Sequence, residues 1–490
     1  MTTVTRAREP IDPNVVRIAT VLIVGGLAVV FDTTIVSVAL HTLAAQLDTA
    51  VSTIQWVSTG YLLALGVTIP LVGWAQSRFG GKRLWMFALV LFLLGSIACS
   101  LAWNAPSLIT FRVIQGVGGG VMLPLMSTLI MQAAGGKALG RTMAMLSLPA
   151  VLGPVLGPVI GGVILNWFDW RWLFWVNVPF CVVGLVLAWK MLPHDGGLSR
   201  VRLDVVGLLL LSPGLVGVLY GLSNASKPDG FGRTDVLAPL LIGVALLVAF
   251  AVYSARMAGR ALVDVRLFGH RSVASASALL LLSGAALYGG MLLLPLYFQD
   301  LRGVDPLMAG LLLVPQGIGT FFSRTIAGRL MDSIGAKWVA LAGFAIVGVA
   351  TVPFAVATQA TNEWFLMAFL VLRGFGLGAV TVTVMAVAFV GLDRPDVPHA
   401  SILTRIAQQI GGSFGVALLA VILEGLTAAG DGSAAATAYA FDQAFWWSIG
   451  FTAVAIVVSL TLPGRPRPVL APAGAGADHP ANPSAHTTTG

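Results

Sequence analysis

The sequence predicts an all-α polytopic membrane protein made of two similar six-helix halves with two further helices between them. Three observations lead there. Hydrophobic residues fill 57% of the 490 positions and charged residues only 10%, far from a soluble average. Apolar runs long enough to cross a hydrocarbon core of roughly 30 Å recur along the chain. Glycine-rich and charged patterns of the first half return some 255 to 261 residues later.

The apolar runs fall near 17–40, 54–76, 84–103, 106–132, 141–166 and 171–192, then 204–223 and 235–254, then 272–298, 307–328, 338–358, 364–391, 399–424 and 441–462. This pattern predicts fourteen spans and five regions: an N-terminal segment 1–16, a first half 17–192, a linker 193–271 holding two spans, a second half 272–462 and a tail 463–490. The tail is rich in Ala, Pro, Gly and Thr without apolar periodicity, and is expected to be disordered. Arg6 and Arg8 precede the first run with no cleavage site between, so no removable signal peptide is expected.

Basic residues sort by side. Arg78, Lys82, Arg83, Lys137, Arg141, Lys190, Arg200, Arg202, Arg256, Arg260, Arg266, Arg271, Arg329 and Lys337 fall in alternate loops, whereas the intervening loops hold only Arg171, Lys227, Arg233 and Arg302. The excess predicts that both termini are cytoplasmic. It also accounts for the net charge of +8 without a nucleic-acid partner. Cys99 and Cys181 lie in apolar runs with no metal or disulfide spacing.

The repeat is explicit in the loops: Gly73 to Lys82, with Arg78 and Gly80, returns as Gly328 to Lys337, with Asp332 and Gly335. Arg112 with Gly116 and Gly118 is matched to Arg373 with Gly374, Gly376 and Gly378, and Gly153 and Gly157 to Gly411 and Gly415. Near-equal offsets mean halves of the same orientation.

The stretch Pro149 to Gly162 is the most unusual local pattern. Gly153, Gly157 and Gly161 stand four apart and form one flat helix face for close backbone approach. Pro154 and Pro158 each remove a helical hydrogen bond, so the helix is expected to bend. The face is expected to slide against the thirteenth span, whose Gly411, Gly412 and Gly415 offer a matching small surface.

Asp32 stands alone in the first span, roughly 12 Å below its outer end at 1.5 Å per residue, and Arg112 lies roughly 9 Å below the outer end of the fourth. An intramembrane charge is costly unless paired, so these two at one depth are expected partners. A carboxylate beside a guanidinium can take up a proton in exchange for a rearranged pair, which makes Asp32 the candidate proton-coupling group and Arg112 its electrostatic partner. Gln55, Tyr61, Gln115, Tyr288, Gln316, Gln408 and Gln409 are other rare polar side chains inside spans and candidates for a substrate cavity. Arg324 and Arg405 lie near inner helix ends and are expected to snorkel to the interface. The loops around Gly73, Arg78, Gly80, Gly328, Asp332 and Gly335 read as hinges. There is no Gly-rich nucleotide loop, no metal-ligand spacing and no nucleophile and base pattern, so neither an enzyme nor a nucleotide-driven motor is indicated.

These motifs resemble those of the major facilitator superfamily, and within it the fourteen-span drug:proton antiporters, over about residues 15–462. The resemblance rests on Asp32-Thr-Thr-Ile-Val, the Gly73 to Arg83 loop, Arg112 to Gly118, the Gly153 to Gly162 motif associated with exporters, and Trp170 to Pro179. It implies a bacterial inner-membrane antiporter that exports hydrophobic or amphiphilic, cationic compounds by alternating access. The energy source is a proton gradient with no cofactor, and the expected state is a monomer. The same scaffold would serve a dedicated exporter of one endogenous metabolite, antibiotic or lipid, whereas a receptor or membrane-embedded enzyme would need a polar cluster not found here. Similar proteins carry aspartate where this chain has Ser77, so an inner-gate ion pair must come from Arg78 and Asp332 or the outward-open state is held less firmly.

Overall fold

The computed structural model describes residues 12–49, 51–134, 145, 148–193, 195, 202–225, 230–257, 261–358, 361–393 and 396–462, so the tail 463–490 and the segment 1–11 lie outside the described residues. The first half contains α1 (Pro13–Val38), α2 (Leu40–Gln46), α3 (Val51–Thr68), α4 (Leu71–Phe79), α5 (Gly81–Ser100), α6 (Ala105–Ala134), α7 (Leu148–Trp167), α8 (Trp172–Trp175) and α9 (Asn177–Met191). Helices α10 (Val205–Ala225) and α11 (Thr234–Arg256) follow. The second half contains α12 (Arg271–Leu296), α13 (Pro306–Leu312), α14 (Val314–Ile334), α15 (Ala336–Thr351), α16 (Glu363–Val387), α17 (Val397–Ala429) and α18 (Ala434–Ser459).

Among the described residues, eleven helices are long and apolar enough to cross a membrane, or twelve if the bent pair Trp56–Thr68 and Leu71–Phe79 is one span. That is fewer than the fourteen expected from hydropathy. The second expected span is one continuous run in the sequence but bends by 57° at the Ile69–Pro70 break, where proline cannot donate to the helix ladder. The tenth is α14, which is 21 residues long but carries Arg324, Arg329 and Asp332. Part of the fifth, 141–166, lies outside the described residues before α7.

Large apolar side chains point outward in quantity, as a bilayer requires: on α11 these are Leu241, Ile242, Val244, Val248 and Val252, all exposed. The two linker helices differ in role. α11 lies at the periphery, whereas α10 packs against α3 and α17, with Ser212 Oγ donating to Val67 O at 3.0 Å, and so touches both halves.

Each half repeats the same close helix contacts. Gly116 and Gly120 of α6 lie against the Tyr61 and Leu65 carbonyls of α3; Gly374 and Gly378 of α16 lie against the Gln316 and Thr320 carbonyls of α14. Gly118 meets α5 at Phe92, and Gly376 meets α15 at Val347. Gly80 and Gly335 adopt φ of 91° and 95° at the turn between consecutive helices, a left-handed conformation that side chains disfavour. At the first turn, Asp195 accepts from the Lys82 and Arg83 amides at 2.8 and 3.1 Å, and Lys82 Nζ donates to the Trp189 and Leu192 carbonyls at the end of α9. Aspartate at a helix N-terminus and lysine at a C-terminus both oppose the helix dipoles.

These contacts correct two expectations. Gly153, Gly157 and Gly161 face α1 at Val30, Thr34 and Ile35, within the same half, and not the thirteenth span. Gly411 and Gly415 make the equivalent contact in the second half, against Leu281 and Ala285 of α12, while Gly412 lies on Tyr288. Small faces on fifth helices are used up by the first helix of their own half. The register of the fourth helices also differs from the expected one: the glycine contacts align 116, 118 and 120 with 374, 376 and 378, so Arg373 stands where Gln115 does, three residues beyond Arg112.

Candidate functional site

α1 brings Asp32 into the interior of the first half, with no exposure. α6 brings Arg112 and, one turn later on the same face, Gln115. Arg112 Nη1 donates to Asp32 Oδ2 at 2.5 Å and to Gln115 Oε1 at 2.9 Å, and Arg112 Nε donates to the Val57 carbonyl at 3.2 Å. The other carboxylate oxygen, Oδ1, accepts from Gln115 Nε2 at 3.0 Å and from Asn177 Nδ2 at 2.8 Å. Asn177, at the start of α9, is held in turn by Ser96, whose hydroxyl donates to the Phe174 carbonyl. Tyr61 lies under the guanidinium, 4.1 Å from the arginine carbon to the ring centre, a cation–π contact. Five elements therefore converge on one carboxylate. The pair is neutral overall, and its remaining donors and acceptors are largely satisfied, which is the condition for burying charge.

Beside this cluster lies a cavity of ≈ 340 Å³ between the halves, walled by α1, α3, α6, α10, α12, α14, α16 and α17. Tyr288, Gln316, Gln408 and Gln409 line it, as does Thr33 next to Asp32. Tyr61 and Gln115 do not; both are spent on the ion pair behind the wall made by Val29, Val30 and Thr33. The side chain of Gln55 lies outside the described residues. Leu219, Leu222 and Ser223 of α10 also reach the cavity, so one linker helix forms part of its wall. Arg324 and Arg405 are a correction: both line the cavity and neither reaches out to an interface. Asn177 lies in the Trp170 to Pro179 motif, but the sequence reading gave it no place at the site; an asparagine inside an apolar span was the further signal.

The comparisons with known proteins join this geometry to a family. The Major Facilitator Superfamily profile matches residues 22–416 and 276–485. The chain belongs to this superfamily. Among curated proteins, the multidrug resistance protein B homolog of Mycobacterium tuberculosis is 38% identical over 417 residues, covering 85% of this chain and 77% of that one. The lincomycin resistance protein LmrB of Bacillus subtilis is 27% identical over 403 residues, covering 82% and 84%. The putative multidrug resistance protein MdtD of Pectobacterium atrosepticum is 28% identical over 400 residues, covering 80% and 84%. The fold matches the solved proton:xylose symporter XylE with TM-score 0.62 at 15% identity, covering 92% of this chain and 96% of that one. Superfamily members are multi-pass membrane transporters of small molecules, and the all-helical two-halved architecture here is theirs.

Within that superfamily scaffold the halves carry different chemistry. Arg373, in the second half, is buried like Arg112 but donates to Gln316 Oε1, the Ala286 carbonyl and Thr351 Oγ, all neutral acceptors. Among the described residues, Arg373 has no carboxylate partner of the kind Asp32 gives Arg112. Near the expected hinge, Gly73 of α4 faces Ile402 and Pro398 of α17 across the halves, and Ser401 Oγ donates to the Pro124 carbonyl. Gly328 is buried, Arg78 is exposed, Ser77 Oγ donates to the Gly73 carbonyl, and the side chains of Asp332, Pro154 and Pro158 lie outside the described residues.

Proposed function

We propose that this chain is a proton-coupled antiporter of the bacterial cell membrane that exports hydrophobic or amphiphilic drugs by alternating access, acting as a monomer with fourteen spans and both termini in the cytoplasm. The observation that supports it is the placement of Asp32. The carboxylate is buried one residue from the cavity-lining Thr33, on a helix whose neighbouring residues Val30 and Thr34 are pressed by Gly153 and Gly157 of α7. Thr34 Oγ also donates to the Gly153 carbonyl at 3.0 Å, so α1 and α7 are keyed together at the depth of the acid.

A mechanism follows from charge balance. With Asp32 ionised, Arg112, Gln115 and Asn177 tie α6 and α9 to α1, Arg112 holds α3 through the Val57 carbonyl, and Asn177 holds α5 through Ser96. A proton arriving on Asp32 removes the anion and leaves Arg112 buried with neutral acceptors only, an arrangement of high cost in a low-dielectric interior. The cluster must then loosen, and displacement of α1 along the glycine face of α7 links that loosening to reorientation of the halves. Substrate and proton alternate because the cavity wall and the acid sit on the same helix. The energy comes from the proton gradient with no bound cofactor. Relatives named for multidrug and lincomycin resistance support drugs as the cargo.

The test is a susceptibility and accumulation screen. A strain carrying the gene and one lacking it are compared against dyes, quaternary ammonium compounds and antibiotics, with the proton gradient intact and collapsed. Lower accumulation that disappears on collapse is the expected result. Equal accumulation in both strains across the panel, with the protein present in the membrane, overturns the proposal.

A further inference from the structure

The cavity contains more positive charge than its lining compensates. Arg324, on α14, is only 4% exposed, and its Nε and Nη1 atoms are buried with no hydrogen-bond partner. Arg405, on α17, donates from Nη1 to the neutral Gln408 Oε1 at 3.0 Å. Among the described residues, no Asp or Glu lines this cavity, and neither arginine makes an ion pair. Asp32 cannot serve them, since it is enclosed with Arg112 behind the wall. Two guanidiniums, one with empty donor positions, thus share a chamber whose other lining side chains are uncharged. An intramembrane arginine is retained where it meets a partner or lines a water-filled path, and a guanidinium's planar fork suits a carboxylate or sulfonate accepted by two parallel bonds.

Building on the export reading above, we propose that Arg324 and Arg405 form an anion subsite, so that the preferred cargo is an amphiphile bearing a carboxylate or sulfonate and not the cation expected from the resemblance. Gln316, Gln409 and Thr320 sit on the same lining and supply neutral polar contacts, while Leu62, Met126 and Leu287 accept the apolar body. The head group replaces the missing acid, and the apolar wall leaves the rest of the molecule unspecified. This division permits many cargoes with one charge rule.

The experiment uses the full chain in nanodiscs of neutral lipid and three probes of one shape: 1-naphthaleneacetate, 1-naphthaleneacetamide and 1-naphthylmethylammonium. Equilibrium dialysis at neutral pH, with empty nanodiscs subtracted, gives the three affinities. The carboxylate should bind about 10- to 100-fold more tightly than the amide, the range of one charge-assisted hydrogen-bonded pair, with the ammonium weakest. Arg324→Gln and Arg405→Gln should each reduce this preference, and the double variant should bind acetate and amide alike. The parental ranking needs no variant: an ammonium that binds as tightly as the carboxylate overturns the proposal, and so does a preference that survives in the folded double variant. Amide binding reports folding, and Arg324→Lys and Arg405→Lys, which keep the charge, should retain a carboxylate preference. Cellular export is scored separately. Export of the ammonium probe without any carboxylate preference in vitro sinks the subsite and leaves the export reading standing, whereas a carboxylate preference with no export of any probe upholds the subsite and counts against export.

Discussion

Replacing Gly157 by alanine tests the contact that joins the glycine-rich helix α7 to the acid-bearing α1. A Cβ at position 157 would stand 2.6 Å from Thr34 Cβ and would collide with the Thr34 hydroxyl. At position 153 the added carbon would press on the Val30 side chain and stand 3.0 Å from the Val30 carbonyl oxygen, while at 161 the nearest atom, the Ile35 carbonyl oxygen, is 3.2 Å away. Overpacking of this kind costs about 1–3 kcal/mol. Displacing Thr34 also breaks its hydrogen bond to the Gly153 carbonyl, roughly 1 kcal/mol. Alanine in place of helical glycine returns roughly 0.5–1 kcal/mol. Gly157→Ala should therefore destabilise by about 1–3 kcal/mol and impair export, Gly153→Ala should follow, and Gly161→Ala should be near neutral because the propensity gain offsets a mild contact. Thermal unfolding of the purified protein in detergent and efflux at matched expression give the two readouts. If Gly157→Ala melts and exports like Gly161→Ala, the keyed contact between α1 and α7 does not govern the switch.

Three more outcomes follow from named contacts. Arg112→Ala leaves the buried Asp32 carboxylate with amide donors alone and should cost about 3–5 kcal/mol, seen as low membrane yield; Arg112→Lys keeps the charge but not the simultaneous reach to Asp32, Gln115 and the Val57 carbonyl, and should be intermediate. Asn177→Val removes one donor to the carboxylate and should cost about 1.5–3 kcal/mol in detergent melting, with export reduced in vesicles. Asp195→Ala strips the two amide contacts at the start of α5 and should lower stability by about 0.5–2 kcal/mol, whereas Asp195→Asn, which still accepts, should melt close to the parent.

Much of the fold could be read from the sequence because a bilayer leaves a chain few choices: apolar length gives helices, and the repeated loops give two halves. What hydropathy could not supply was the break at Pro70 or the effect of three charges on α14, since both depend on whether neighbours satisfy the backbone and the side chains. The site was readable in part for the same reason. Asp32 and Arg112 share a depth that can be counted in residues, and the structure brings them into contact. The three-residue spacing puts Gln115 on nearly the same face as Arg112, but depth says nothing about azimuth between helices, so the sequence did not distinguish Tyr61, which turns toward the pair, from Gln316 and Gln408, which turn toward the cavity. Glycine spacing showed that Gly153 and Gly157 needed a close partner without naming it, because a flat face fits any helix that arrives. Arg324 and Arg405 were placed near helix ends by sequence position, yet α14 and α17 turn them inward, where only packing of the two halves decides what they meet.

The most direct measurement is proton exchange by Asp32→Asn in everted membrane vesicles. The substitution keeps side-chain size and removes the titratable group but leaves Arg112 with neutral acceptors only, as Arg373 has in the second half, so parent and variant are compared at matched membrane amounts, and the variant should still bind an exported compound in purified form. Once respiration has established an acid interior, addition of that compound should release protons from vesicles carrying the parent and leave the gradient of the Asp32→Asn vesicles unchanged. Proton release from the variant at the parental rate would contradict the assignment of Asp32 as the coupling site.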